Sequence, residues 1–146
     1  MNPYRIQLIF LKLQISGGVM EGKNMAVWFE IPVQDIQRAK KFYETIFDIQ
    51  LSSMDMGDEF KMEVFPGDQD SVSGALVYND SWYKPSKTDG PLLYLNGNPD
   101  LQTVQDKIEA AGGTVTIPKR EISPDHGYMA VFEDTEGNRV ALHSDS

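Results

Sequence analysis

The chain contains two histidines, His126 and His143, and the first directly follows an aspartate. Imidazole titrates closest to neutral pH, so Asp125 and His126 could act as a general acid–base pair. The surrounding stretch, residues 123–127, is Ser-Pro-Asp-His-Gly, which is also the composition of an exposed turn. The local sequence favours the turn, and a His–Asp pair alone does not indicate nucleophilic catalysis.

Several other kinds of chemistry lack the residues they need. Cysteine is absent, which excludes disulfides, a thiolate zinc site and a cysteine nucleophile, and which fits a cytoplasmic location. No Gly-x-Ser-x-Gly elbow occurs, and Gly112-Gly113 follows a predicted helix, so no phosphate-binding loop is indicated. The net charge of −9 and the pI of about 4.6 oppose binding to nucleic acid or to anionic membranes.

The elements that would position functional side chains follow a clear order from Met25 onward. Residues 26–33 have strand composition, and Asp35 predicts the N-cap of a helix. The helix carries an apolar stripe of Ile36, Ala39, Phe42, Tyr43, Ile46 and Phe47. Strands are predicted at 49–54, 59–65 and 73–77, followed by a linker at 78–90. A strand at 92–96, a helix capped by Asp100 and reaching Ala111, and strands at 114–118, 128–133 and 139–143 complete the pattern.

The second half of the chain repeats the first at an offset of 65 to 67 residues. Asp35-Ile36 corresponds to Asp100-Leu101, Phe65 to Phe132, and Ala75-Leu76 to Ala141-Leu142. Each half contains a strand, a helix and three strands, which is too small to close a core alone. The sequence therefore predicts an α+β fold of two tandem βαβββ modules, residues 25–80 and 89–144, in a single domain spanning 25–146.

Residues 1–24 stand apart from the repeat. The stretch from Tyr4 to Ile15 is apolar, but it is interrupted by Lys12 and Gln14 and is too short to span a bilayer. One hypothesis is a misassigned translation start, with the true start at Met20 or Met25. The alternative is an extra N-terminal strand that covers a sheet edge or a partner subunit.

The ordered motifs resemble the vicinal oxygen chelate superfamily, which includes glyoxalase I, extradiol dioxygenases and bleomycin-resistance proteins. They are Phe-Glu-Ile-Pro-Val-Gln-Asp-Ile at 29–36, Ala-Lys-Lys-Phe-Tyr at 39–43, Ile-Glu-Ala-Ala-Gly-Gly at 108–113 and Phe-Glu-Asp-Thr-Glu-Gly-Asn-Arg-Val-Ala-Leu-His at 132–143. The resemblance covers about Met25 to Ser144. It implies that each module curls into a half-barrel, and that the protein is a homodimer.

Enzymes of this superfamily place His, Gln or Glu ligands at the first and last strands of each module. The resemblance puts those positions at Trp28, at Gly74 or Ala75, among Gly90, Pro91 and Leu92, and at Ala141. None of these side chains can bind a metal ion. The metal chemistry of the superfamily is therefore not inherited, and we predict neither metal nor cofactor.

Strand alternation allows one displaced metal site. If Trp28 and Ala141 point inward, then Glu30 and His143 do too, and Glu63, or Lys61 beside it, could join them. Glu30, Glu63 and His143 would form a mixed carboxylate–imidazole set. The alternative is that Glu30 is a buried carboxylate paired with Lys61, and that His143 makes one ordinary hydrogen bond.

An aromatic-lined pocket is the other indication of function. Trp28 stands where related enzymes have a metal ligand, and Trp82 and Tyr83 in the linker could close over the mouth. His126 and Tyr128 fall where the resemblance places the edge of the substrate pocket. The predicted ligand-binding residues are Trp28, Glu30, Lys61, Glu63, His126, Met129, Ala141 and His143.

Three classes of function remain open at this stage. The first is a metal-free protein that binds a small organic molecule, as bleomycin-resistance proteins do. The second is a glyoxalase-type lyase or isomerase that uses a displaced metal site or metal-free acid–base chemistry. The third is a structural or interaction module.

Overall fold

Two βαβββ units follow one another along the chain. The computed structural model describes residues 24–68, 70–81 and 83–146. The first unit contains β1 (Trp28–Pro32), α1 (Ile36–Phe47), β2 (Ser52–Asp55), β3 (Lys61–Val64) and β4 (Ser73–Tyr78). The second contains β5 (Leu93–Asn96), α2 (Gln102–Ile108), β6 (Thr114–Ser123), β7 (Gly127–Glu133) and β8 (Arg139–Ser144).

The two four-stranded sheets have the same topology. The strand orders are β1-β4-β3-β2 and β5-β8-β7-β6, so the first strand of each unit pairs in parallel with the last. The remaining pairs are antiparallel. The fold class predicted from the repeat, two half-barrel βαβββ modules, is confirmed.

Each sheet has two chemically different faces. In the first sheet Glu30 lies opposite Ala75, which lies opposite Val64, so these side chains point to one side. Ile31 and Leu76 point to the other side and belong to the core beneath the helices. We call the two sides the inner face and the helix face. In the second sheet the inner face includes two cross-strand pairs, Met129 with His143 and Val131 with Ala141.

One hydrophobic core joins the modules on the helix side. The Asp35 side chain caps α1 by accepting hydrogen bonds from the backbone N–H groups of Gln37 and Arg38. The apolar stripe predicted for α1 is buried, apart from Phe47, which is half-buried. Phe42 packs against Phe132 of the second sheet with ring centroids 6.0 Å apart, so the core crosses the module boundary.

A buried carboxylate in the β7–β8 turn also joins the modules. Glu136 Oε1 accepts hydrogen bonds from the backbone N–H groups of Gln34 (3.0 Å) and Asp35 (2.8 Å). Both carboxylate oxygens accept from the Arg38 guanidinium, at 2.7 and 3.0 Å. Burial alone raises the pKa of Glu136, but the hydrogen bonds from Arg38, Asp35, Thr135 and Gln34 outweigh it and hold the pKa below its ordinary value.

A second carboxylate of the same turn is buried beside α1. Asp134 Oδ2 accepts hydrogen bonds from the Tyr43 hydroxyl at 2.7 Å and from Asn138 Nδ2 at 2.9 Å. Asn138 Nδ2 also donates to the Pro32 carbonyl at 2.8 Å. Burial raises the pKa of Asp134 even though these donors favour its charged form. The turn therefore fixes the end of β1 against the start of β8.

Several predicted boundaries differ from the structure by two or three residues, and the differences are largest for the second helix and the strand after it. The second helix spans Gln102–Ile108 instead of running from Asp100 to Ala111, and Leu101 occupies its N-cap position without a capping side chain. Asp100 is instead committed to an ion pair with Lys119 at 2.7 Å, while still accepting from the backbone of Gln102. The strand predicted at 114–118 continues to Ser123 through several irregular pairs with β7.

Some of the expectations fall outside the described part of the chain. Nearly all of the segment 1–24 and the linker residue Trp82 belong to this group. Neither of the helices described is long and apolar enough to cross a membrane.

Candidate functional site between the modules

A cavity of about 570 Å³ lies where β1 of the first module meets β5 and the start of β8 in the second. Its walls include apolar side chains from both modules and charged side chains from the linker and β8. Those used below are Trp28, Glu30, Lys84, Asp89, Leu92 and Arg139. We call this space the inter-module cavity.

One wall of the inter-module cavity is a hydrogen-bonded aromatic group. Glu30 Oε1 accepts from Trp28 Nε1 at 3.2 Å, and Glu30 Oε2 accepts from the Tyr83 hydroxyl. The Tyr83 ring packs edge-on against Phe60, with centroids 5.8 Å apart. Burial, then the hydrogen bond and the negative charge of Glu30, raise the pKa of Tyr83 above its ordinary value. Tyr83 is thus a neutral donor that fixes the carboxylate, and the carboxylate fixes the indole.

The second module contributes a guanidinium to the cavity wall. Arg139 begins β8, and its Nη2 donates to the Gly90 carbonyl at 3.2 Å. Its Nε is buried and has no hydrogen-bond partner among the described residues. The linker is held against this wall because the Arg139 backbone N–H donates to the Ser86 carbonyl at 3.2 Å.

Four predicted ligand-binding residues lie on or beside the inner face of the second sheet. Met129 and Ala141 belong to an apolar cluster that Leu92 also joins. His143 is on the same face, and its Nε2 lies 2.8 Å from the carbonyl oxygen of His126. His126 occupies the exposed turn before β7, with its Nδ1 2.8 Å from the hydroxyl of Ser123. This is the turn that the sequence favoured, and these four residues do not line the inter-module cavity.

The hypothesis of a displaced metal site is wrong, because Glu63 points away from Glu30. Glu63 lies opposite Leu76 on the helix face, whereas Glu30 lies opposite Ala75 on the inner face. The carboxylate of Glu63 pairs with Lys40 of α1 at 2.7 Å and accepts from Ser53 at 2.7 Å. Among the residues described, no three His, Asp or Glu side chains converge on a point suited to a metal ion.

The alternative ion pair between Glu30 and Lys61 is also wrong. Lys61 lies opposite Tyr78, on the helix face of the first sheet, and its ammonium is 5.9 Å from the centre of the Tyr78 ring. Glu30 is on the inner face, where its partners are Trp28 and Tyr83. Of the eight predicted ligand-binding residues, Trp28 and Glu30 line the inter-module cavity.

Among the residues that the resemblance places at metal-ligand positions, Trp28, Ala75, Leu92 and Ala141 are packed in apolar clusters. Ala75 belongs to the cluster of Phe60, Met62 and Val77 on the inner face of the first sheet, and Trp28 packs against it. Ala141 belongs to the cluster of the second sheet, and Leu92 packs against it. Indole, methyl and isobutyl groups offer no donor to a cation, so these residues do not fit a metal ion.

Sequence reasoning missed Arg139 and the hydrogen bond from Tyr83 to Glu30. The signal for Arg139 was present, because side chains two residues apart on a strand share a face. Arg139 therefore shares the face of Ala141, as His143 does. Tyr83 was expected near the pocket mouth, but no periodicity in an irregular linker could identify its acceptor.

A second cavity of about 420 Å³ lies between the C-terminal end of α1 and α2, with Phe29 of β1 in its wall. Phe47, Ile49 and Val104 form apolar parts of its wall, and Lys107 lies at its rim. It serves below as a reference site on the helix side of the molecule.

Comparison with known proteins identifies related folds. The chain resembles maize (Zea mays) glyoxalase I at 21% identity, with a TM-score of 0.65 over 82% of this chain and 44% of the maize chain. It thus spans less than half the length of that protein. It resembles Leishmania major glyoxalase I at 18% identity, with a TM-score of 0.60 over 84% of this chain and 88% of the other.

Another similar structure is that of TnmS3, described as an antibiotic binding protein from a Streptomyces species. It is 25% identical, with a TM-score of 0.57 over 84% of this chain and 97% of TnmS3. A search of curated proteins gives no significant match.

The sequence itself matches one protein family over residues 26–142, which is most of the chain. That match agrees with the duplicated βαβββ architecture and with the resemblance carried by the motifs. The chain belongs to the glyoxalase/bleomycin resistance protein/dioxygenase superfamily.

Proposed function

We propose that this protein binds a flat, partly apolar organic molecule in the inter-module cavity, without a metal ion at the superfamily's ligand positions. The observation that carries the proposal is the lack of metal-donor side chains at the residues that the resemblance places there: Trp28, Gly74 or Ala75, one of Gly90, Pro91 and Leu92, and Ala141. Trp28 and the three candidates Gly90, Pro91 and Leu92 line the cavity. A volume of about 570 Å³ falls in the range of small-molecule sites.

The cavity wall is preorganised for such a ligand. The Trp28 indole is held by its hydrogen bond to Glu30, which is itself held by Tyr83. A ring that is already fixed loses little conformational freedom on binding, so more of the contact energy becomes affinity. Glu30 of the first module and Arg139 of the second offer polar anchors beside the apolar side chains of the wall.

The comparison with TnmS3 supports binding over catalysis. That protein is described as antibiotic binding, and the likeness covers nearly its whole length. Maize glyoxalase I gives weaker support for an activity, because this chain spans only 44% of it and lacks donor side chains at the metal-ligand positions.

A neutral aromatic probe tests the proposal. We expect 2-naphthamide to bind, because about a dozen non-hydrogen atoms at about 0.3 kcal/mol each give about 4 kcal/mol, or a Kd of about 1 mM. Trp28→Ala should weaken binding at least about fivefold by removing the stacking wall. Phe47→Ala removes an aromatic side chain from the second cavity and serves as the matched control.

The outcomes separate cleanly. Loss of binding in Trp28→Ala with retention in Phe47→Ala supports the proposal. Retention in Trp28→Ala, or no binding to the wild-type protein at 10-fold the expected Kd (about 10 mM), refutes it. Circular dichroism of each variant verifies that the fold is intact.

We also propose that the protein is a cytoplasmic homodimer that takes no part in nucleic-acid binding. The edge strands β2 and β6 carry exposed apolar side chains, Met54 and Ile122. Light scattering at micromolar concentration should give twice the monomer mass, and a monomer mass would contradict the dimer.

A further inference from the structure

The inter-module cavity contains a positive charge that the described residues do not neutralise. None of the ion pairs among them includes Arg139. Glu133, its neighbour across the strand pair, is instead 3.8 Å from Lys87. The guanidinium is half-buried and makes one hydrogen bond, from Nη2 to the Gly90 carbonyl.

The donors of this guanidinium that a cavity ligand can reach are its terminal N–H groups. A guanidinium carries five N–H groups in a planar fork that matches a carboxylate. The Nε group is closed off from solvent and meets no acceptor among the described residues. Of the two terminal nitrogens, Nη2 donates to the Gly90 carbonyl, and Nη1 has no hydrogen bond to a described residue. The fork is therefore open to an acceptor from the cavity.

The carboxylates that line the same cavity do not supply that acceptor. Both oxygens of Glu30 already accept hydrogen bonds, from Trp28 and from Tyr83. Asp89 belongs to the exposed linker turn, where its side chain lies 3.4 Å from the hydroxyl of Ser86. Lys84, the other cation on the wall, donates to the Asp80 carbonyl at 2.8 Å and points largely into solvent.

We propose that the ligand of this cavity is an organic anion whose carboxylate, or an equivalent acidic oxygen group, accepts a hydrogen bond from the Arg139 guanidinium while its flat apolar body lies against Trp28 and Leu92. This inference rests on the proposed function and adds the charge and orientation of the ligand. Glu30 favours the same orientation, because the ligand's carboxylate would be repelled by the negative charge of Glu30 if the ligand bound the other way round.

Two isosteric probes test the charge directly. We compare 2-naphthoate with 2-naphthamide, which differ in charge and very little in shape. The wild-type protein should bind the carboxylate at least about tenfold more tightly, because the ionised carboxylate adds charge–charge attraction to the hydrogen bond from the guanidinium. Arg139→Gln should reduce that preference, measured as the ratio of the two affinities on the same variant, to less than about twofold.

Two further variants separate geometry from general charge. Lys87→Gln removes a nearby exposed cation and should keep the full preference. Arg139→Lys keeps the charge but loses the planar fork of donors, so its preference should be intermediate. Nitrogen-15 NMR offers a readout independent of the variants, because the guanidinium resonances of Arg139 should shift further with 2-naphthoate than with 2-naphthamide.

The failures are distinguishable. If both probes bind equally to the wild-type protein, or if the preference survives in Arg139→Gln, the inference is overturned and the proposed function stands. If neither probe binds, the proposed function fails and the inference fails with it. If Lys87→Gln abolishes the preference as fully as Arg139→Gln does, the effect is general electrostatic attraction and the specific role of Arg139 is refuted.

Discussion

Replacing Glu136 by glutamine removes one negative charge from the junction of the modules while nearly preserving the shape of the side chain. In the structure the carboxylate accepts five hydrogen bonds, two from backbone N–H groups, two from Arg38 and one from Thr135. The glutamine oxygen can keep the backbone bonds. Its amide would then point its N–H donors at the donors of Arg38 and Thr135.

The magnitude follows from the exposure of the two partners. Breaking a fully buried pair costs about 3–5 kcal/mol, whereas an exposed pair contributes at most about 1 kcal/mol. The Glu136 side chain is fully buried, but the Arg38 side chain is 52% exposed and can regain water. We therefore expect Glu136→Gln to lower the free energy of unfolding by about 2–3 kcal/mol, which lowers Tm by roughly 5–10 °C for a chain of this size.

Urea unfolding followed by circular dichroism measures this effect. Glu133→Gln is the matched control, because it lies in the same turn region but faces Lys87 at 3.8 Å with a largely exposed partner. Its effect should stay below about 0.5 kcal/mol. If Glu136→Gln is as stable as the wild-type protein, the hydrogen bonds at the junction do not stabilise the fold and the reasoning is refuted.

The remaining predictions concern stability and the two faces of the first sheet. Because folding lowers the pKa of Glu136, its contribution to stability is present above the unfolded pKa of about 4.5 and is lost as the pH falls through the folded value. The free energy of unfolding of Glu136→Gln should therefore fall less steeply with decreasing pH than that of the wild-type protein. Gly74→Ala would place a Cβ atom 2.4 Å from the ring of Phe29 and should cost about 1–3 kcal/mol in urea unfolding. Glu63→Gln should cost about 1–3 kcal/mol by breaking the pair with Lys40, yet leave the Kd of 2-naphthamide unchanged, since the side chain is on the helix face. A weakened Kd in that variant would show that the faces are wrongly assigned.

The repeat made the architecture predictable, and alternation made part of the site predictable. The periodic offset identified both modules because each half repeats the same polar cap and apolar stripe. Alternation within β1 correctly linked Trp28 to Glu30, whose side chains share the inner face. Both successes rest on local periodicity, which a sequence records directly.

The error over Glu63 arose between strands. Alternation fixes the faces within one strand, but the phase of β3 relative to β1 depends on the intervening loops and on the pairing of both strands with β4. Alternation within a single strand does not give that phase. The apolar run of Phe60, Met62 and Val64, all in one cluster of the inner face, was the available signal that Glu63 points the other way.

The polar contacts of the inter-module cavity could not be predicted for a related reason. Tyr83 lies in an irregular linker and reaches Glu30 across 53 residues of sequence. Arg139 Nε has no hydrogen-bond acceptor among the described residues, and this depends on how distant segments pack around it. Contacts of this kind produce no periodic pattern in the sequence.

The most direct test of the account is the position of a bound aromatic molecule. Intermolecular nuclear Overhauser effects between 2-naphthoate and the isotope-labelled protein should connect the naphthalene protons to the Trp28 indole and to the Leu92 methyl groups. Contacts to Phe47 and Val104 instead would place the ligand in the second cavity. That result, or the absence of any contact to Trp28, would contradict the claim that the inter-module cavity is the binding site.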